Sequence, residues 1–401
     1  MIFNGYNTWV ILNNPFTPGA GLSPPYLAGR DKEKEAMSGV LRDLSGGVPK
    51  NIILHGLRGV GKTVLLDEYA SICIKNDFLP VTQFQYGEEH SDPEKFFDLF
   101  KNSMDEAIKK YSKKERVKDK FQSAASYIKP KTISVSEVTI EPSYGSDSGS
   151  PLMNRIIDYM VKKWDVIKNS HHGAILLFDE FHTINGKKDN QSALGNFISA
   201  INEVQRNGHK YAAVLSGLPM LTTNIKIARS YSERMFRPLE ISNLDVGKAA
   251  DAIIKPLEKT KWSFSTDLVS AVIKDTDRYP FFIQFFAREI IDKVDKNVIE
   301  LDDYNSVRGS ILEDLGDAFF SQRMASTSLK QREILRIMAS IQKKDIKFSD
   351  ILDVSDMGKG TVANHLKRLI ERGFIYKSKH GFYNFTIPLF RTYILDAASS
   401  E

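Results

Sequence analysis

The run Gly56-Leu57-Arg58-Gly59-Val60-Gly61-Lys62-Thr63 carries the densest chemistry in the chain. It fits the spacing G-x-x-x-x-G-K-[ST]. Glycines let a short loop aim backbone N–H groups at phosphate oxygens. A helix opening at Lys62 adds partial positive charge at the same place. In that arrangement Lys62 reaches β- and γ-phosphates, and the Thr63 hydroxyl takes a Mg²⁺ position. Gly56, Arg58, Gly59, Val60, Gly61 and Val64 complete the set of candidate nucleotide contacts. A second run, Ala174-Ile175-Leu176-Leu177-Phe178-Asp179-Glu180, is apolar until two acids end it. That pattern describes a buried strand whose tip presents carboxylates. Asp179 is the candidate Mg²⁺ ligand, directly or through water, and Glu180 the group that orients and polarises the attacking water. Asp-Glu after a strand is also a helix N-cap pattern. The neighbouring phosphate loop tips the choice toward metal and water. Ser216 closes a third apolar run, 211–216. Its hydroxyl can contact a γ-phosphate or the water, or cap the Gly-Leu-Pro turn that follows. The cofactors these residues call for are ATP and Mg²⁺.

Such groups need a frame. Asn51–His55 is a short apolar strand before the loop, and Lys62–Lys75 is helical after it. Residues 81–86 alternate like a strand, and 93–110, 153–168 and Ala193–Arg206 follow helical periodicity. Strands alternating with helices predict a doubly wound α/β core with a parallel sheet. Residues 1–29 are rich in Asn, Pro and Gly and read as an extended arm. A helix over 30–44 follows, stopped by Gly46-Gly47. Residues 111–150 break the rhythm. A Ser/Thr/Val run at 132–140 and a Gly/Ser-rich stretch at 144–150 read as an insertion with a hairpin and a mobile loop. Past Leu239 the pattern is helical at Val246–Leu257, 266–274 and 280–294. From about Leu329 come three short helices (329–341, 348–352 and 361–372) and a hairpin, 374–385, turning at His380-Gly381.

The chain has 401 residues, enough for two or three domains, with ordinary globular composition at 42% hydrophobic and 26% charged. The lone Cys73 excludes an internal disulfide and a cysteine-based zinc cluster, and suits a reducing cytoplasmic compartment. Apolar runs fall far short of the ~20 residues of a membrane span, and the start, MIFNGYNTWV, shows no secretory leader. No nucleophile elbow supports a Ser/His/Asp hydrolase. No metal-binding pattern stands out among the eight histidines, and His182 needs no role beside Glu180. The net charge is +5, but it is unevenly spread. Residues 330–380 and 101–131 each carry +6, which leaves the other 319 residues at −7. Basic segments suit phosphate backbones or anionic surfaces, or are simply solvated faces.

The order of motifs resembles an AAA+-type ATPase over nearly the whole chain. It is similar to bacterial and archaeal ATP-binding proteins near the origin-initiator and STAND ATPases. The resemblance implies a P-loop NTPase core at 30–240 with a basic insertion at about 101–150. It implies a helical lid at 241–325 and a C-terminal winged-helix domain at 326–401, after the arm at 1–29. It implies ATP hydrolysis and assembly into a homo-oligomer on ATP binding. By the resemblance, Leu27, Ala28, Gly29 and Arg30 border the adenine. Arg234 and Arg237, in Tyr231-Ser232-Glu233-Arg234-Met235-Phe236-Arg237, match the place where relatives reach a neighbouring subunit's nucleotide. They also fit a γ-phosphate sensor in cis or a surface pair in a loop. The Gly-x-Pro of such lids is matched by Arg278-Tyr279-Pro280, with the glycine absent. Pro280 is the candidate contact there, and no sensor-2 arginine is assigned.

In the third C-terminal helix, Val362, Leu366 and Leu369 share one face, which is core. Thr361, Asn364, Lys367 and Arg368 fall opposite, with Lys359 just before. Such a helix can lie in a major groove, with Lys377 and Lys379 of the hairpin against phosphates. Winged helices also serve as protein-contact modules. The leading expectation is an ATP-driven switch whose winged helix contacts double-stranded DNA. The alternatives are a slow-turnover regulatory module with a protein partner, or the ATPase subunit of a mobile-element or anti-phage system acting through a separate effector protein.

Overall fold

A computed structural model describes residues 14–19, 21–83, 86–111, 151–184, 192–343, 345–379 and 381–400. The expected hairpin at 132–140, the Gly/Ser stretch at 144–150 and most of the basic 101–131 segment lie outside the described residues. The chain forms two compact units. One comprises Lys32–His55 and Leu65–Glu240; the other comprises Met1–Asp31, Gly56–Val64 and Ile241–Glu401.

The first unit is built on a parallel sheet of β1 (Asn51–His55), β2 (Leu79–Gln83), β3 (Ala174–Phe178), β4 (Tyr211–Gly217) and β5 (Phe236–Glu240), ordered β2-β3-β4-β1-β5. Its helices are α1 (Asp31–Ser45), α2 (Lys62–Lys75), α3 (Pro93–Tyr111), α4 (Leu152–Ile167), α5 (Ala193–Arg206) and α6 (Met220–Ala228). Every residue of β3 is buried. Successive strand side chains point to opposite faces, so both faces of β3 must be covered. Leu176 and Phe178 join a cluster with Phe96 and Phe100 of α3, Met160 of α4 and Phe197 of α5. Ile175 and Leu177 point the other way and are equally buried. The strand expected at 81–86 instead begins at Leu79, in register with Ala174, and ends at Gln83. Tyr86 lies beyond it, edge-on to Phe181 at 4.9 Å.

β5 was not foreseen. Only Phe236 of its five residues is buried, and Pro238 sits opposite Ile53 of β1. Pro cannot donate to a ladder, and an edge strand tolerates that. Pairing with β1 rather than any apolar alternation makes this segment a strand.

The second unit holds α7 (Val246–Leu257), the short parallel pair β6 (Ser263–Phe264) and β7 (Val298–Ile299), α8 (Thr266–Asp275), α9 (Pro280–Lys293) and α10 (Leu301–Leu315). Asp275 of α8 accepts from Tyr304 and Arg308 of α10. Burial pushes the Asp275 carboxyl up, but these bonds outweigh it and hold the group below the usual carboxylate range. After a π-helical turn, Gly316–Ser321, come α11 (Leu329–Ser340), β8 (Ile346–Lys347), α12 (Phe348–Val354), α13 (Lys359–Glu371), β9 (Ile375–Lys379), β10 (Phe382–Phe385) and α14 (Pro388–Ser400). The last three strands form an antiparallel sheet ordered β8-β10-β9. Helices α10 and α14 go beyond the sequence reading. Phe390 of α14 stacks against Phe374, Phe385 and Phe320, so the chain past the hairpin completes this core. Among the described residues, no helix is long and apolar enough to cross a membrane.

Phe178 is fully buried and touches aromatic neighbours on α3, on α5 and in the segment after β2. Phe178→Ala should cost about 3–5 kcal/mol, the usual range for emptying an aromatic core site. The check is a drop in the urea midpoint at unchanged slope.

Candidate functional site

In the first unit the tips of β3 and β4 build an acidic centre. Asp179 follows β3 directly and is 2% exposed. Its Oδ1 accepts from the Ser216 hydroxyl at 2.6 Å and from the Glu180 N–H at 2.8 Å. Ser216 is therefore bonded to Asp179 and does not cap the turn after it. Charge-assisted bonds of this kind offset the cost of burying a carboxylate. Glu180 stands at φ 51, a left-handed conformation uncommon for a residue with a Cβ. A 3₁₀ turn, Phe181–Thr183, follows it, and the Glu180 side chain makes no capping bond to that turn. The Glu180 carboxylate thus does not act as an N-cap for that turn. That carboxylate is partly exposed, with Oε2 3.7 Å from His182 Nε2. Asp67 of α2 was not foreseen. Partial burial, then the negative charge of Asp179, raises its carboxyl above the usual range. Nothing in the spacing signals this, because α2 and β3 meet only in the fold.

In the second unit the loop between β1 and α2 is held from several sides. A side chain at Gly56 would run into the Ile241 carbonyl oxygen. Gly59 and Gly61 stand at φ +81 and +94. The buried Lys62 donates to the carbonyls of Gly56 at 3.0 Å and Leu57 at 2.8 Å, so its ammonium lies inside the loop. Val60 is buried, and Thr63 and Val64 are half-buried on the first turn of α2. Arg30 is buried and donates to the carbonyls of Val60 and Ser242 at 2.9 and 2.8 Å. This places part of its guanidinium on the backbone of the loop. Ala28 is buried, Leu27 half-buried, and Gly29, at φ +64, lies against the Lys248 side chain.

The Arg278-Tyr279-Pro280 tripeptide closes on the same loop. The Tyr279 hydroxyl donates to the Arg58 carbonyl, and burial pushes its phenol upward. Pro280 opens α9, where its missing N–H costs nothing. Arg278 stands at φ 60 and Asp277 at φ 46. Arg278 thus holds, with a Cβ, a backbone conformation that favours glycine. The Arg58 guanidinium lies against Gly373, within 3.1 Å of where a Cβ would stand. The phosphate loop thereby touches the segment just after α13.

The other sequence candidates sit at surfaces. Arg234 lies on a four-residue helical turn, Ser232–Met235, and Arg237 on the edge strand β5. Both are exposed, and neither makes an ion pair or side-chain hydrogen bond among the described residues. On α13, Val362, Leu366 and Leu369 are buried. Lys359, Asn364, Lys367 and Arg368 are exposed and Thr361 half-buried. Lys367 reaches Glu371 at 3.9 Å. Lys377 is on β9 with its ammonium over the Tyr383 ring, and Lys379 pairs in register with Phe382. Among the described residues no group of three His, Cys, Asp or Glu could cage a metal.

Parts of the chain match known domain families, and its fold is similar to solved structures. Residues 26–206 match the model of the AAA ATPase domain, and residues 317–394 match a domain of unknown function (DUF8462). No curated protein matches significantly. The chain is similar to the Walker-type ATPase PABY2304 of Pyrococcus abyssi, at 14% identity and a TM-score of 0.57, over 92% of this chain and 96% of that one. It is also similar to the ORC2 protein of Aeropyrum pernix in its ADP form, at 13% identity and a TM-score of 0.51, over 94% of this chain and 96% of that one. At such identities the likeness is one of fold.

A left-handed backbone costs a residue with a Cβ roughly 1–2 kcal/mol. Arg278→Gly should therefore be more stable than Arg278→Ala by about 1 kcal/mol, the reverse of their order at an ordinary helical site. Thermal unfolding of the two variants side by side checks this.

Proposed function

Taking residues 26–206 as an AAA ATPase domain, we propose that the protein binds ATP with Mg²⁺, hydrolyses it, and uses the cycle to switch a C-terminal winged helix that contacts duplex DNA. One observation carries the ATPase part. A glycine-rich loop with a buried lysine follows β1, and two strands away β3 ends on a buried carboxylate held by a hydroxyl. The loop N–H groups and Lys62 would cradle the phosphates. The hydroxyl and carboxylate oxygens of Thr63 and Asp179 are the hard donors that Mg²⁺ takes, and Mg²⁺ usually completes its shell with phosphates and water. When bound, the ion supplies charge neutralisation at the β- and γ-phosphates. Glu180 would orient a water and draw its proton. Ser216 would fix the Asp179 carboxylate for that work. Leu27, Ala28, Gly29 and Arg30 would line the base side, and Pro280 the lid side.

In this reading, 30–240 is the ATPase core, 241–325 the lid and 326–401 the winged helix, with 1–29 an extended N-terminal arm. Arg234 and Arg237 would enter a neighbouring subunit's site in a homo-oligomer formed on ATP binding. Their exposure, with no side-chain hydrogen bond or ion pair among the described residues, supports that assignment. The exposed Lys359, Asn364, Lys367 and Arg368, with Thr361, would face the major groove, and Lys377 and Lys379 the phosphates. The compartment that fits is the cytoplasm. A second reading gives the winged helix to a protein partner, including a separate effector chain. The contact of Arg58 with Gly373 favours it, since it lets loop movement bear directly on this domain.

Lys62→Ala should lose ATP affinity at least about tenfold; unchanged affinity would sink the nucleotide reading. Glu180→Gln should keep ATP binding and lose about 10²–10⁴ in kcat, the usual worth of a general base. If the arginines act in trans, mixing inactive Glu180→Gln with inactive Arg234→Ala/Arg237→Ala restores turnover, because some mixed interfaces carry an intact pair. Duplex DNA binding should weaken linearly in log–log plots against salt and fall on Lys367→Glu/Arg368→Glu. Binding that ignores both assigns the winged helix to a protein instead.

A further inference from the structure

We infer that His182 is a positioning residue that aims the Glu180 carboxylate and ties it to the end of β4. This rests on the ATPase reading and deepens it.

Three contacts converge on His182, which is 7% exposed. Its Nε2 stands 3.7 Å from Glu180 Oε2. Its backbone carbonyl accepts from the Asn224 side chain of α6 at 3.2 Å. Its ring lies over Gly217, where a Cβ would come within 3.0 Å of both His182 Cβ and Nδ1. Gly217 directly follows Ser216, whose hydroxyl holds Asp179. One imidazole therefore sits among the tip of β3, the tip of β4 and the helix after β4.

A water-activating carboxylate acts only when aimed, and such bases are oriented in turn by a third group. The left-handed backbone at Glu180 sets where its Cβ starts, and the outer side-chain torsions are set by what the carboxylate meets, His182 included. An apolar side chain at 182 would fill the same space without reaching the carboxylate. An imidazole both fills the space and presents a nitrogen to it. The glycine at 217 admits the ring together with the backbone of residue 182. It does not stand at positive φ, so its Cβ-free face serves the neighbour, not the backbone. Any shift of β4's end or of α6 is then passed through His182 to Glu180. The short helical turn bearing Arg234 lies just after α6, so a neighbouring subunit acting on that segment could reach Glu180 by this route.

The test uses the full chain. His182→Ala should lower kcat about tenfold or more while leaving the ATP dissociation constant within about twofold, the split that marks loss of an interaction made beyond ground-state binding. His182→Gln, which keeps a polar group at similar reach, should restore most of kcat; His182→Leu, which only fills space, should not. Gly217→Ala keeps the imidazole but takes its room, and should lower kcat likewise. Rescue by Leu, or unchanged kcat in His182→Ala with Glu180→Gln still silent, would overturn the inference alone. A wild-type chain without turnover would overturn the ATPase reading, and the pairing is then read by NMR. The His182 ring resonances should shift in Glu180→Gln and stay put in Glu233→Gln, and no shift in Glu180→Gln overturns the positioning role.

Discussion

A carboxylate buried at the end of an apolar strand constrains everything around it. Asp179 is nearly inaccessible, yet the strand before it is buried on both faces and offers no polar company. Its charge has to be met by groups at neighbouring strand tips. The Ser216 hydroxyl and the Glu180 N–H do this. The parallel register makes the meeting possible, since Phe178 pairs with Leu215 and the next residue on each strand is Asp179 and Ser216. The all-apolar β3 and the aromatic cluster on its face hold that register. The hydrophobic core and the polar centre are thus one design, with burial in the strands setting the positions of the acids at their ends.

The phosphate loop obeys a different economy. Its contacts are mostly backbone carbonyls met by long cationic or phenolic side chains: Lys62 on Gly56 and Leu57, Arg30 on Val60, Tyr279 on Arg58. The donors come from separate segments of the chain, so the loop's shape depends on Arg30, Lys62 at the start of α2 and Tyr279 together. The Arg58 contact at Gly373 extends this dependence to the C-terminal helices. A loop held this way is suited to report what it binds.

The two basic segments belong to different units. On α13 the charges occupy the face opposite a buried apolar stripe, the arrangement its spacing predicts. Of 101–131, only 101–111 is described. There the charges flank a helix whose Phe100, Met104 and Ala107 are buried, so Lys109 and Lys110 form a solvated face. The bland +5 of the whole chain conceals both arrangements.

The sequence by itself determined the features that depend on local order. Gly56 to Thr63 read as a phosphate loop because spacing, strand and helix are contiguous. β3 read as a doubly covered strand because every residue is apolar, and α13 declared its faces by period. What depends on distant pairing was decided only by the tertiary structure. β5 is a strand because Phe236–Glu240 lies beside β1, not because of its composition. The left-handed Arg278 hides in a tripeptide that looks like a broken motif. Asp67, His182 and the roles of Arg30 and Ser216 emerge only when elements separated by up to 212 residues close on one another. The physical reason is the same in each case. Backbone periodicity and loop chemistry are written in neighbours, whereas satisfying a buried charge or carbonyl requires a partner that only the folded chain supplies.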